Sequence, residues 1–163
     1  MSALVGIKRL GFRVAARVLQ LYWFAFRPRT SGVTCIIQDA AGRVLMVRHT
    51  YGRPGWSFPG GGTKRNETSD ATVRREIREE LGIELVDLRQ IGSFLNTVDF
   101  KKDWVTVFAA RPSSAALDLG LEEIAEARWV GVNELPSPTA PVAMRSLSLW
   151  LERERQEEDR PDL

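Results

Sequence analysis

The chain has 163 residues, of which 44% are hydrophobic and 27% charged, with a formal net charge of +2. That length suits one domain with a real core, and the lack of a basic face throughout argues against a nucleic-acid binder. Cys35 is the only cysteine, which excludes an intrachain disulfide and a multi-cysteine zinc site. In VTCII it reads as a small buried hydrophobe, compatible with a reducing cytoplasm.

The charge is unevenly spread. Residues 1–30 carry Lys8, Arg9, Arg13, Arg17, Arg27 and Arg29 and no acidic side chain, while the last twelve residues carry six acidic and three basic ones. The spacing of Arg9, Arg13 and Arg17 predicts a basic amphipathic helix over residues 1–30, ended by Pro28. Its apolar run falls short of the roughly 20 residues needed to span a bilayer. Arginines within it do not suit a secretory signal. Two roles fit: packing on the domain or across a homodimer, or contact with an anionic membrane surface, peripheral to its inner face.

SGVTCIIQD then predicts a strand, AAGR a turn and RVLMVRH a second strand, together a hairpin. TYGRPGWSFPGGGT, with five glycines and two prolines in fourteen residues, is a loop. A helix follows. Thr68 suits its N-cap, Asp70 favours the positive end of its dipole, and Gly82 suits its far end. Val73, Ile77 and Leu81 form its buried stripe. LVDLRQIGSFLNTV, DWVTVFAAR and ARWVGV predict further strands, and PVAMRSLSLWLERER a terminal helix. Trp104, Trp129 and Trp150 read as core residues. The expected organisation is α/β: an N-terminal helix over 1–30, one domain over 31–155 and a polar tail over 156–163.

On the central helix, Glu76, Glu79 and Glu80 project within one sector of about 100°, beside the apolar stripe. Arg75 stands four residues before Glu79, spaced to pair with it. An isolated E-x-x-E-E is ordinarily a solvated face. Here it follows a glycine-rich loop and a matched cap, with Glu122 and Glu123 downstream. Hard divalent cations bind through carboxylates and substrate phosphates, so a bound cation would turn this repulsion into attraction.

GGTKRNETSDATVRREIREELGI, residues 61–83, resembles the box of the Nudix hydrolase family, G-x5-E-x7-R-E-U-x-E-E-x-G-U. Gly61, Glu67, Arg75, Glu76, Ile77, Glu79, Glu80, Gly82 and Ile83 fill its fixed positions. PGG at residues 59–61 and the chain over about 31–136 also look like that family. The resemblance implies a Nudix fold, a mixed β-sheet sandwiched between helices; the extra N-terminal amphipathic helix lies outside the stretch it covers. It implies hydrolysis of a nucleoside diphosphate derivative (a nucleotide sugar or dinucleotide) or an NTP, with Mg²⁺ or Mn²⁺ as cofactor. Glu76, Glu79 and Glu80 would be metal ligands and catalytic residues, with the Gly60 carbonyl as a further ligand. Gly61, Glu67, Arg75 and Gly82 would brace loop and helix. Glu123 is the expected downstream glutamate, as ligand or base, with Glu122 and Glu126 as rivals.

TKRN at residues 63–66 departs from common usage without losing a fixed position; Asn66 tolerates the left-handed backbone of a tight turn. Arg48, His49, Trp56 and Phe58 are the expected substrate contacts, the two aromatics being candidates for the core as well. The expected partner is a small-molecule nucleotide. A non-catalytic nucleotide-binding or sensing module on the same scaffold is the alternative, and the intact glutamates argue against it.

Overall fold

The computed structural model describes Val18 and residues 29–50, 54–97, 102–114, 116–120 and 122–159. The expected basic helix over residues 1–30 lies outside the described residues, apart from Val18 and the start of the first strand. In chain order the described elements are β1 (Arg29–Ile37), β2 (Val44–His49), α1 (Ser69–Leu81), β3 (Leu85–Asn96), β4 (Lys102–Pro112), β5 (Ile124–Val130) and α2 (Pro141–Glu158).

The strands form two sheets. One is mixed, in order β1-β4-β3, with β1 parallel and β3 antiparallel to β4; the other pairs β2 with β5 antiparallel. The expected β1–β2 hairpin is therefore corrected. Its turn forms, with Asp39 Oδ1 accepting from the Ala41 and Arg43 amides at 2.9 Å. Beyond a single Gln38–Val44 bridge, however, the strands part into different sheets. The glycine-rich loop comes between them. Val33 N–H donates to Gly61 O, Cys35 N–H to Pro59 O and Thr63 N–H to Ser31 O, each at 2.9 Å, so the loop holds the edge of β1 that a hairpin would use. On its far side Val47 and Ser57 exchange both backbone bonds. Unpaired backbone groups are costly to bury, and here the loop supplies the partners.

Both faces of these strands are covered, and side chains alternate between them. Val33, Cys35, Ile37, Leu45, Val47 and Phe108 pack with Val73, Ile77 and Leu81 of α1. Ile36, Val44, Met46, Val105 and Val107 pack on the other side with Ala143, Leu147 and Trp150 of α2. The mixed sheet thus lies between α1 and α2. Cys35 sits fully buried among these side chains, and burial pushes its thiol pKa up. Trp150 is buried and Trp129 packs at the margin of the α1 cluster, but Trp104 is 52% exposed. It lies beyond the helix-covered stretch of β4, paired with the exposed Leu95 of β3. No described helix is long and apolar enough to cross a membrane.

Candidate functional site

The α1 ends are fixed as the local sequence requires. Thr68 is the N-cap, its hydroxyl accepting from Ala71 N–H at 3.2 Å, and Gly82 closes the helix in the left-handed conformation at φ 66°. Asn66, at φ 64°, makes the tight turn before Glu67. Inside that frame Arg75 is the hub. Its Nε and Nη2 donate to the two oxygens of Glu67 at 2.8 and 2.9 Å, and Nη1 donates to Glu76 at 2.7 Å and Glu79 at 3.1 Å. Nη2 also reaches Gly62 O at 3.2 Å, tying loop to helix. The Glu67 carboxylate accepts Lys64 N–H as well; the Arg75 fork, then that amide, hold its pKa down at about 2.

Glu80 is different. Only 3% exposed, it accepts a hydrogen bond from Gly60 N–H at Oε2, 3.2 Å away, and its Oε1 lies 3.9 Å from His49 Nδ1. Burial pushes its pKa up to about 8, the Gly60 bond opposes this, and the charges of Glu76, Glu123 and Glu79 add to it. The Glu76 carboxyl is raised too, first by burial and then, against the pull of Arg75, by Glu79 and Glu123.

A turn brings Glu123 here. Gly120 N–H donates to Glu80 O at 2.8 Å, and Glu123 N–H donates to Gly120 O at 2.9 Å. A Cβ on Gly120 would stand 2.8 Å from Glu79 O, so only glycine allows this approach to the end of α1. Thr50 secures the other side through the carbonyls of Glu122 and Glu123. Glu126 faces elsewhere, bound to Arg48 at 3.0 Å and to Arg128.

The glycines at the loop's end bring backbone and carboxylates together. Gly60, at φ 148°, lies so close to β1 that a Cβ would overlap Val33 O at 2.2 Å. A Cβ on Gly61 would stand 2.4 Å from Glu76 Cδ. The Glu76 carboxyl therefore occupies the space the missing side chain leaves.

The donor set suits a hard divalent cation: carboxylates on one helix, partly desolvated and mutually repelling, beside a loop backbone. Glu76 and Glu79 are turned toward Arg75 and Glu80 toward Gly60. In these positions no group of three acidic, histidine or cysteine side chains among the described residues is arranged to hold a metal.

A cleft of about 740 Å³ opens beside this cluster. His49, Phe58, Gly60, Gly61 and Gly62 line it, so two of the expected substrate contacts face it. Arg48 and Trp56 do not. Arg48 is drawn to Glu126 across the β2–β5 pair, and Trp56 is buried in the α2-side core with the Arg128 guanidinium 4.8 Å over its ring. The cleft is completed by residues that sequence reading missed, among them Thr30, Asn96, Asp103, Val105 and Val142. They come from β1, β3, β4 and α2 and share no local pattern, so only the strand register could have revealed them.

Comparison with known proteins agrees with this architecture. The sequence matches the NUDIX domain over residues 28–151. An uncharacterized Nudix hydrolase of Pseudomonas aeruginosa is 33% identical over 131 residues, 74% of this chain and 77% of that protein. An RNA pyrophosphohydrolase of Teredinibacter turnerae is 40% identical over 63 residues, 39% of this chain and 35% of that protein. The chain spans 35% to 42% of the length of this and two further RNA pyrophosphohydrolases. The MutT protein of Methanosarcina mazei superposes with a TM-score of 0.69 at 24% identity, covering 82% of this chain and 99% of that one, a likeness of fold. With the domain match extending over most of its length and every fixed box position filled around one arginine hub, the chain belongs to the Nudix family.

Proposed function

We propose that the chain is a metal-dependent pyrophosphohydrolase that cleaves the diphosphate linkage of a nucleoside diphosphate derivative or an NTP. One observation carries this reading: Glu80, a nearly buried carboxylate with its pKa at about 8, is surrounded by three more glutamates. Buried like charges are costly unless something offsets them, and Nudix hydrolases generally use divalent metals. Glu76, Glu79 and Glu80 would hold Mg²⁺ or Mn²⁺, with the Gly60 carbonyl and Glu123 as further ligands. When bound, such an ion neutralises phosphate charge and lowers the pKa of a water.

The chain's own residues do the rest. Arg75, gripped by Glu67, fixes the direction of Glu76 and Glu79; the Gly60 amide steadies Glu80. The backbone of residues 60–62 borders the cleft where phosphates would lie. Glu80 and Glu123, outside the Arg75 brace, are the candidates to accept the proton of the attacking water.

The test is a panel of nucleoside diphosphate derivatives and NTPs with Mg²⁺ or Mn²⁺, run on the protein and on Glu80→Gln. Turnover in the first and a loss of orders of magnitude in the folded second are expected. Wild-type rates in Glu80→Gln would refute the assignment. Retained nucleotide binding with no turnover of any substrate would favour the sensing module instead. Since several relatives are RNA pyrophosphohydrolases, RNA is the second substrate class in the panel.

A further inference from the structure

The cleft has an end that the glutamate cluster does not explain. Three polar residues lie in one row across the mixed sheet: Thr30 on β1 pairs with Asp103 on β4, which pairs with Asn96 on β3. All three line the cleft. The Thr30 hydroxyl donates to Asp103 Oδ1 at 2.5 Å, which orients the carboxylate. The next strand positions facing the cleft are apolar or small: Gly32 and Val105 sit one row in, with Phe58 and Val142 beside them.

Position along β1 gives the scale. Gly60 is packed against Val33 and Thr34, beside Glu80, and Thr30 stands four residues earlier. At roughly 3.3 Å per residue the polar row lies about 13 Å down the strand from the Gly60 end. A nucleoside diphosphate reaches about that far between its base edge and its outer phosphate. With phosphates at the glycine loop, the base would lie between apolar walls with its edge on the row.

We propose that the Thr30–Asp103–Asn96 row selects the base, with Asp103 favouring guanine nucleotides. This rests on the nucleotide-cleaving reading of the same cleft. An ionised carboxylate only accepts hydrogen bonds. Guanine alone among the common bases offers two adjacent N–H donors, at N1 and N2, which a carboxylate can accept together. Adenine and cytosine set an acceptor nitrogen beside their amino group, and uracil flanks its one N–H with two carbonyls. Each would bring a lone pair against Asp103. The Asn96 amide, one strand over, supplies the donor that guanine O6 takes. Hydrogen bonds to charged groups discriminate by roughly 10- to 100-fold.

The test is isothermal titration of the full chain with GDP, ADP, UDP and xanthosine diphosphate, with EDTA present so that nothing is turned over. GDP is expected to bind at least tenfold more tightly than ADP or UDP. Asp103→Asn offers one acceptor and one donor, the pattern that meets xanthine N1–H and O2, so its preference should move from GDP to xanthosine diphosphate. A merely structural Asp103 would weaken all four ligands alike. Should Asp103→Asn fail to fold, Thr30→Val, which removes the orienting hydroxyl, should shrink the GDP preference severalfold. Equal affinities in the wild-type chain, including no measurable binding of any of the four, overturn the inference. So does an unchanged GDP preference in Asp103→Asn. Hydrolysis without base preference would leave the pyrophosphohydrolase reading standing and remove this one; GDP preference without any hydrolysis would do the reverse.

Discussion

Gly61→Ala isolates the geometry of Glu76 from the stability of the fold. Gly61 does not use a left-handed backbone, so alanine adds no conformational strain there. Its Cβ would instead meet Glu76 Cδ at 2.4 Å and both carboxyl oxygens at 2.6 Å. Ordinary van der Waals contact begins near 3.4 Å, so the carboxyl must retreat by 3.4 − 2.4, about 1 Å. Glu76 can do this by rotating, at the expense of its 2.7 Å bond to Arg75. A misplacement of about 1 Å in a reacting constellation can cost on the order of a hundredfold in rate. We therefore expect kcat/KM in Mg²⁺ to fall about a hundredfold while thermal unfolding shifts by no more than a surface substitution would, within about 0.5 kcal/mol. Gly60→Ala is the contrast: its Cβ meets backbone at Val33 O, so that variant should lose the fold. The assays are initial rates and calorimetric melting on the same preparations. A folded Gly61→Ala protein with activity within threefold of wild type would refute the claim that the glycine exists to seat Glu76. An activity loss that merely tracks the unfolded fraction would refute it as well.

Arg75→Lys keeps the charge but loses the fork on Glu67; it should lower stability by roughly 1–3 kcal/mol and activity by more than tenfold, checked by urea melts and initial rates. The Glu80 pKa lies above its unfolded value, so the native state holds a proton that the unfolded chain releases as pH rises. Metal-free stability should therefore fall between about pH 4.5 and pH 8, by an amount on the order of 5 kcal/mol. Glu80→Gln should flatten that profile, and a profile unchanged by this substitution would refute the link. Deleting residues 1–27 tests the proposed roles of the N-terminal segment: loss of a dimer on sizing, or loss of liposome sedimentation, identifies which role it serves, and neither change sinks both.

What was legible from the sequence was whatever short-range chemistry decides. Thr68 and Gly82 bound α1 because capping is a matter of a few adjacent residues, and Asn66 turns the chain for the same reason. The Arg75–Glu79 pair follows from helical spacing alone. The missed hairpin has one cause, which is competition for a strand edge. SGVTCIIQD, AAGR and RVLMVRH carry every local signal of a hairpin, and the turn does form. The glycine-rich loop nevertheless takes the open edge of β1, because Gly32 and Gly60 permit a backbone approach that side chains would forbid. That displacement sends β2 to β5, where Arg48 meets Glu126, while Trp56 takes the core place that its sequence also allowed. Glycines just outside the box thus divide the sheet. A substitution at Gly32, whose Cβ would meet Gly61 O at 2.9 Å, should disturb the loop and the carboxylate seat together although it lies outside the box. In Gly32→Ala, loss of activity together with stability is therefore expected, and a stable variant that had lost only activity would show that loop packing and carboxylate seating are separable.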